Sequence, residues 1–205
     1  SGASARHLAA RMGATGVVVL GLTLEVVGVG LLAWVVGVQG STWLIVLTLI
    51  VYGVGLGLAS AQLTSTVLHD IPADQSGAGS ATQSTVRQLG SAFGAAIAGT
   101  ALGSAMNHTI PDAVASISAV PTRLLDKLVH ITEDSAGSAI PGLRNASPNS
   151  PFIRPLGKSR GAVISSLETG FAHAAAWSIG LSSLFLVIGL LGAIMVRHEA
   201  RKQVG

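Results

Sequence analysis

Four stretches of this chain are each apolar over a helix-spanning length, and that pattern restricts the fold more than any single motif does. A helix needs about 20 mainly apolar residues to cross a hydrocarbon layer roughly 30 Å thick. The first stretch covers about 14–38 with one charge, Glu25, and the others cover about 43–64, 78–106 and 168–196. Backbone amides find no water partner in that layer, so helices and closed barrels alone are stable there. Runs of this length select the helix. The expected fold is all-α and integral to the membrane, with four transmembrane helices and the lipid bilayer as first partner. Composition agrees, since 10% of residues are charged, against about 25% in a soluble domain. Mean hydropathy is +0.63.

Taken in order, Ser1 to Met12 is short, polar and basic, with Arg6, His7 and Arg11. The run after it is too long for the apolar part of a secretory signal and has no small-residue cleavage site. The lack of an initiator Met suggests a start further upstream. A polar break, Gln39 to Thr42, is so short that the first two spans must be antiparallel neighbours. Trp34 and Trp43 flank it, as amphipathic rings do at a membrane interface. Gly53, Gly55 and Gly57 are expected to allow a bend or close packing in the second span.

The segment from about 107 to 165 differs in character, holding most of the prolines and charges of both signs. Within it, Pro121 to Glu133 places Leu124, Leu125, Leu128 and Ile131 on one helical face with Pro at the first turn. That predicts a short amphipathic helix, lying on the membrane surface or on the protein. Pro141 to Pro155 reads as irregular. Four spans put both termini on one side. Their basic residues (Arg6, Arg11, Arg197, Arg201 and Lys202) predict that side to be the cytoplasm of a multi-pass cell-membrane protein, with 107–165 outside.

The third span carries the densest set of candidates. Gly90 and Gly94, then Gly99 and Gly103, recur every four residues, a spacing that lets a second helix backbone approach closely. Arg87 is about three turns into this helix. It is a candidate to bind an anionic group, or a carboxylate such as Asp70 or Asp74, and equally a side chain that snorkels to the interface. Gln83 and Gln88 beside it are candidates for hydrogen bonds across helices or to substrate.

Glu25 is the sharpest isolated signal. An ionised carboxylate in mid-span costs a few kcal/mol unless it is paired or protonated. It is therefore either a proton-pathway residue or a hydrogen-bonded packing residue. Other chemistry is not visible. There is no Cys, the six His are scattered without metal-ligand spacing, and no Ser/His/Asp grouping occurs. The GxGxxA match beginning at Gly28 has no strand before it. Neither an enzyme nor a cofactor or metal protein is expected, and no basic surface suits a nucleic acid.

Two motifs resemble a known family. ARHLAARMG, Ala5 to Gly13, resembles the short basic loop that precedes a span in each repeat of the major facilitator superfamily. GAGSA from Gly77 and VRQLGSAFGAAIAGT from Val86 to Thr100 are similar to a stretch typical of its fourteen-span drug:proton antiporters, the EmrB/QacA type. The long outer loop before the last span fits as well. The resemblance implies a C-terminal fragment, the last four spans of a transporter, with a missing N-terminal half as partner. It further implies a small-molecule substrate, coupling to protons, efflux and drug resistance. By the same resemblance, Tyr52 and Gln62 lie on a cavity-lining helix. Gln83, Arg87, Gly90 and Gly94 lie on a helix at the interface between halves, and Glu25 lies on a supporting helix. Gly53, Gly57 and Gly99 complete the expected close-packing set. An uptake symporter of the same superfamily and a non-transporting four-span partner protein are the alternatives.

Overall fold

The computed structural model describes the backbone of residues 2–38, 40–68 and 71–202, and its described residues form helices and turns without strands. Seven α-helices follow in chain order: α1 (Gly2–Met12), α2 (Ala14–Gly37), α3 (Thr42–Leu68), α4 (Ser76–Val114), α5 (Thr122–Asp134), α6 (Ile140–Asn145) and α7 (Arg160–Lys202). Four of them, α2, α3, α4 and α7, are long and apolar enough to cross a membrane. Their apolar side chains point outward in number, with Leu47, Ile50, Phe93, Ile188 and Met195 all exposed. A water-soluble protein would not leave so much contiguous apolar surface uncovered, so the surface is compatible with a lipid environment.

The long helices stand in a row, α3–α2–α7–α4. α2 packs along α3 on one side and α7 on the other, and α4 packs along α7. The α2–α3 contact depends on absent side chains. A Cβ on Gly21 would stand 2.6 Å from the Ala59 nitrogen, and one on Gly55 would stand 2.6 Å from the Gly21 oxygen. Along α2 and α7 the antiparallel register brings Gly16 to Arg197, Gly30 to Ser183 and Gly37 to Ala176.

The α4–α7 contact is also backbone-close. A Cβ on Gly170 would lie 2.9 Å from the Ile110 Cα. The Thr109 hydroxyl donates to the Gly170 oxygen at 2.8 Å, and the Ser178 hydroxyl to the Ala98 oxygen at 2.8 Å. Gly170, Ala174, Ser178 and Ser182 recur every four residues on α7, the small-residue spacing of close helix pairs. Sequence reading singled out the α4 glycines and missed this row.

Three expectations need correction. The segment Gly2–Met12 is helical rather than a loop, because Ala5, Leu8 and Ala9 pack with Val17 and Leu58. Gly13, at φ 77°, makes the turn from α1 into α2. The segment 141–155 is not wholly irregular. It begins within α6 and leads to a 3₁₀ turn over Arg154–Ser159. The third and fourth spans are longer than 78–106 and 168–196. At 1.5 Å per residue the 39-residue α4 is about 58 Å long and the 43-residue α7 about 64 Å, near twice the hydrocarbon thickness.

The excess length carries a cap. Met106, Ile110 and Val114 of α4 bury against Leu125, Leu128 and Val129 of α5, Ile140 of α6, and Val163, Ile164 and Leu167 of α7. This is the largest buried cluster described, and each such side chain contributes about 1.5–3 kcal/mol of transfer free energy. α5 therefore lies on the protein, which resolves the alternative left open by the sequence. Arg160 ties the cap to α7 by donating to the oxygens of Arg144 (2.7 Å) and Ala146 (2.8 Å) at the end of α6. Arg144 pairs with Glu168 at 3.3 Å.

Candidate functional site

The row of helices curls, because α3 and α4 also meet where Gln83 Nε2 donates to Thr64 Oγ1 at 3.3 Å. Inside the curl is a cleft of about 640 Å³ to which all four long helices contribute. Leu49 and Tyr52 of α3 form one wall, and Gly90, Phe93, Gly94 and Ile97 of α4 form the other. Val29 and Leu32 of α2 and Ile179, Ser182 and Phe185 of α7 make the floor. The size suits a drug-like molecule, for which pockets run to about 300–1,000 Å³.

None of the lining residues carries a charge. Tyr52 and Ser182 are the polar side chains, and the Ser182 hydroxyl already donates to the Ser178 oxygen at 3.0 Å. That leaves the Tyr52 phenol as the polar mark on an apolar surface. Tyr52 is fixed from behind: a Cβ on Gly28 would stand 2.7 Å from its nitrogen, so its backbone rests directly on α2. Gly90 and Gly94 widen the opposite wall, with nothing within 4 Å of where their Cβ atoms would be.

The sequence-derived candidates therefore divide. Tyr52, Gly90 and Gly94 come together at the cleft. Gln83 and Arg87 line a separate recess of about 540 Å³ with Leu63, Ile71 and Val86, between the end of α3 and the start of α4. Arg87 is exposed and, among the described residues, meets no carboxylate. Asp74 is exposed, and Asp70 lies outside the described residues. Gln88 is exposed. Gln62 is buried on the face of α3 that also carries Gly55 and Ala59.

Glu25 is 5% exposed and borders neither cavity. It sits on α2 at the crossing with α3, where a Cβ on Gly55 would stand 2.7 Å from its nitrogen. Nothing among the described residues pairs with its carboxyl group. Gly53 and Gly99 have nothing within 4 Å of a Cβ position, and Gly57 is half-buried. The glycines that bring α2 and α3 together are Gly21, Gly28 and Gly55. Neither Gly21 nor Gly28 was marked as a close-packing glycine, although with Glu25 they fall at steps of four and three, one face of a helix.

No known protein family, curated protein or solved structure matches the chain.

Proposed function

We propose that this chain forms the last four spans of a membrane transporter on the major facilitator plan, a proton-driven exporter of hydrophobic or cationic compounds. The observation that carries the reading is the uncharged cleft, with Tyr52 on one wall and the glycine-widened face of α4 on the other. Such a surface holds an apolar or charge-delocalised molecule without requiring it to match a fixed charge. The face of α4 around Gly90, Gly94 and Gly99 is open within this chain, and in this reading the other half of the transporter closes over it.

Transport then follows from two helical halves rocking about a site near the midplane. Close approach at Gly90 and Gly94 permits that motion. In this reading Glu25, in the middle of α2 and buried against α3, is the carboxyl that exchanges a proton during the cycle. No residue is asked to form or break a covalent bond, so the protein is not an enzyme in this account. Both ends of the segment face the cytoplasm and the cap faces outward, following the basic residues at the termini.

The test is dye uptake by everted membrane vesicles from cells expressing the full gene. A proton gradient, acid inside, should drive a lipophilic cationic dye inward, and collapsing the gradient should stop it. Gradient-driven movement in the opposite direction would favour a symporter. Absence of further spans encoded beside this segment would favour the four-span partner protein.

A further inference from the structure

The chain has three tryptophans, and all three face away from the protein: Trp34 is 63% exposed, Trp43 79% and Trp177 73%. They are far apart in sequence, yet helix register brings them to one level. Along α2 and α3, Gly21 meets Ala59 and Gly28 meets Tyr52, a register that puts Trp43 opposite Gly37. Along α2 and α7, Gly37 meets Ala176, the residue before Trp177. Trp34 is one turn below Gly37 on α2, about 4.5 Å along the axis.

That level divides the surface by chemistry. From Trp34 back to Gly16, where α2 meets Arg197, is about 27 Å at 1.5 Å per residue, close to the hydrocarbon thickness of about 30 Å. Between the two levels α2, α3 and α7 carry a single charged residue, the buried Glu25. Beyond the tryptophans polar residues return, with His108 and Asp112 on α4 and His173 and Glu168 on α7. One exposed face of α7 shows the change in steps of three and four: His173, then Trp177, then Leu181, Leu184 and Ile188. The groove of about 800 Å³ beside that face changes at the same height, with Ser104 and His108 above Trp177 and Leu181 and Leu184 below it.

We propose that the three indoles form one belt seated in the phospholipid headgroup layer, at the end of the bundle nearest the cap. An indole buries a broad apolar face and keeps an N–H for the wet side. Three of them at one depth, on α2, α3 and α7, suit a planar lipid boundary. The belt sets how deep the chain sits. Residues 101–106 of α4 and 168–176 of α7, apolar enough to read as parts of spans, stand outside the hydrocarbon. The cap is carried above it on the Arg160–Ala176 part of α7, about 25 Å long. The inference rests on the membrane reading of the four long helices and not on transport.

The test is depth-dependent quenching on the full protein reconstituted in bilayers. Subtracting the emission of Trp177→Phe from that of wild type isolates Trp177. Lipids brominated near the headgroup end of the acyl chain should quench that difference strongly, and lipids brominated at the chain terminus should quench it less. A second measurement uses a membrane-impermeant maleimide on His173→Cys and Leu184→Cys, each against the parent. His173→Cys should label from one side of the membrane, the side that the cap faces, and Leu184→Cys from neither. Stronger quenching by the deep bromines, or none at Trp177, would overturn the belt. So would labelling of Leu184→Cys, or failure of His173→Cys to label in the folded protein. No quenching at any tryptophan, with both cysteines labelled, would overturn the membrane reading as well.

Discussion

Gly28 and Tyr52 meet backbone to backbone: a Cβ added to Gly28 would stand 2.7 Å from the Tyr52 nitrogen and 2.9 Å from its Cα. α2 therefore serves as the rigid support that sets where the Tyr52 ring enters the cleft. The same absence of side chains at Gly21 and Gly55 extends the support by two turns.

Replacing Gly28 or Gly21 by Leu should force α2 and α3 apart, because the atoms in the way are main chain and cannot rotate aside. The expected loss is about 1–3 kcal/mol, the usual cost of overpacking, read as a lower melting temperature in detergent. Gly53→Ala, where nothing lies within 4 Å, should leave the melting temperature unchanged. Equal melting of all three proteins would contradict the crossing.

Gly90→Leu and Gly94→Leu should separate stability from activity. Both positions are open in this chain, so expression and melting should stay near wild type while transport is lost, through filling of the cleft and obstruction of the opposing half. Normal transport in either variant would count against the role given to this face.

Much of this arrangement was legible in the sequence. Run length gave the four long helices, the short break at Gln39 to Thr42 made the first two neighbours, and the leucines of 121–133 marked α5. Azimuth was not legible. Gly53, Gly55 and Gly57 follow one another at steps of two, about 200° around a helix, so successive members point apart. Only tertiary packing shows that Gly55 is the one turned to α2. The cap was missed for a related reason. Met106, Ile110 and Val114 continue the helical period past Pro111, but the residues that bury them come from α5, α6 and α7. The row at Gly170, Ala174, Ser178 and Ser182 was readable in principle, as small residues every four.

Ser178→Ala removes the hydrogen bond to the Ala98 oxygen without removing that carbonyl's own helical partner. The expected cost is about 0.6 kcal/mol, the average for such bonds within membranes. Ser178→Leu should cost more, since it wedges α4 from α7. Thermal melts of the two variants check the order, and an equal loss would show that the hydroxyl, rather than its small size, holds the contact.

Arg87 should need its charge at the recess shared with Gln83. Transport by Arg87→Lys should exceed that by Arg87→Ala, with Arg87→Lys close to wild type. Equal activity of all three forms, at matched expression, would assign Arg87 to snorkelling alone.

Glu25→Gln keeps the shape and buried position of a side chain that is 5% exposed but cannot release a proton. It should fold and reach the membrane normally, and retain dye binding, while losing the response of transport to the proton gradient. Unchanged gradient-driven transport would move the coupling site to another part of the protein.

The most direct measurement is accumulation of a lipophilic cationic dye in cells expressing the full gene, with and without a proton-gradient uncoupler. Expressing cells should hold less dye than controls, and the uncoupler should erase the difference. Greater accumulation on expression, or a deficit that survives uncoupling, would contradict a proton-driven exporter.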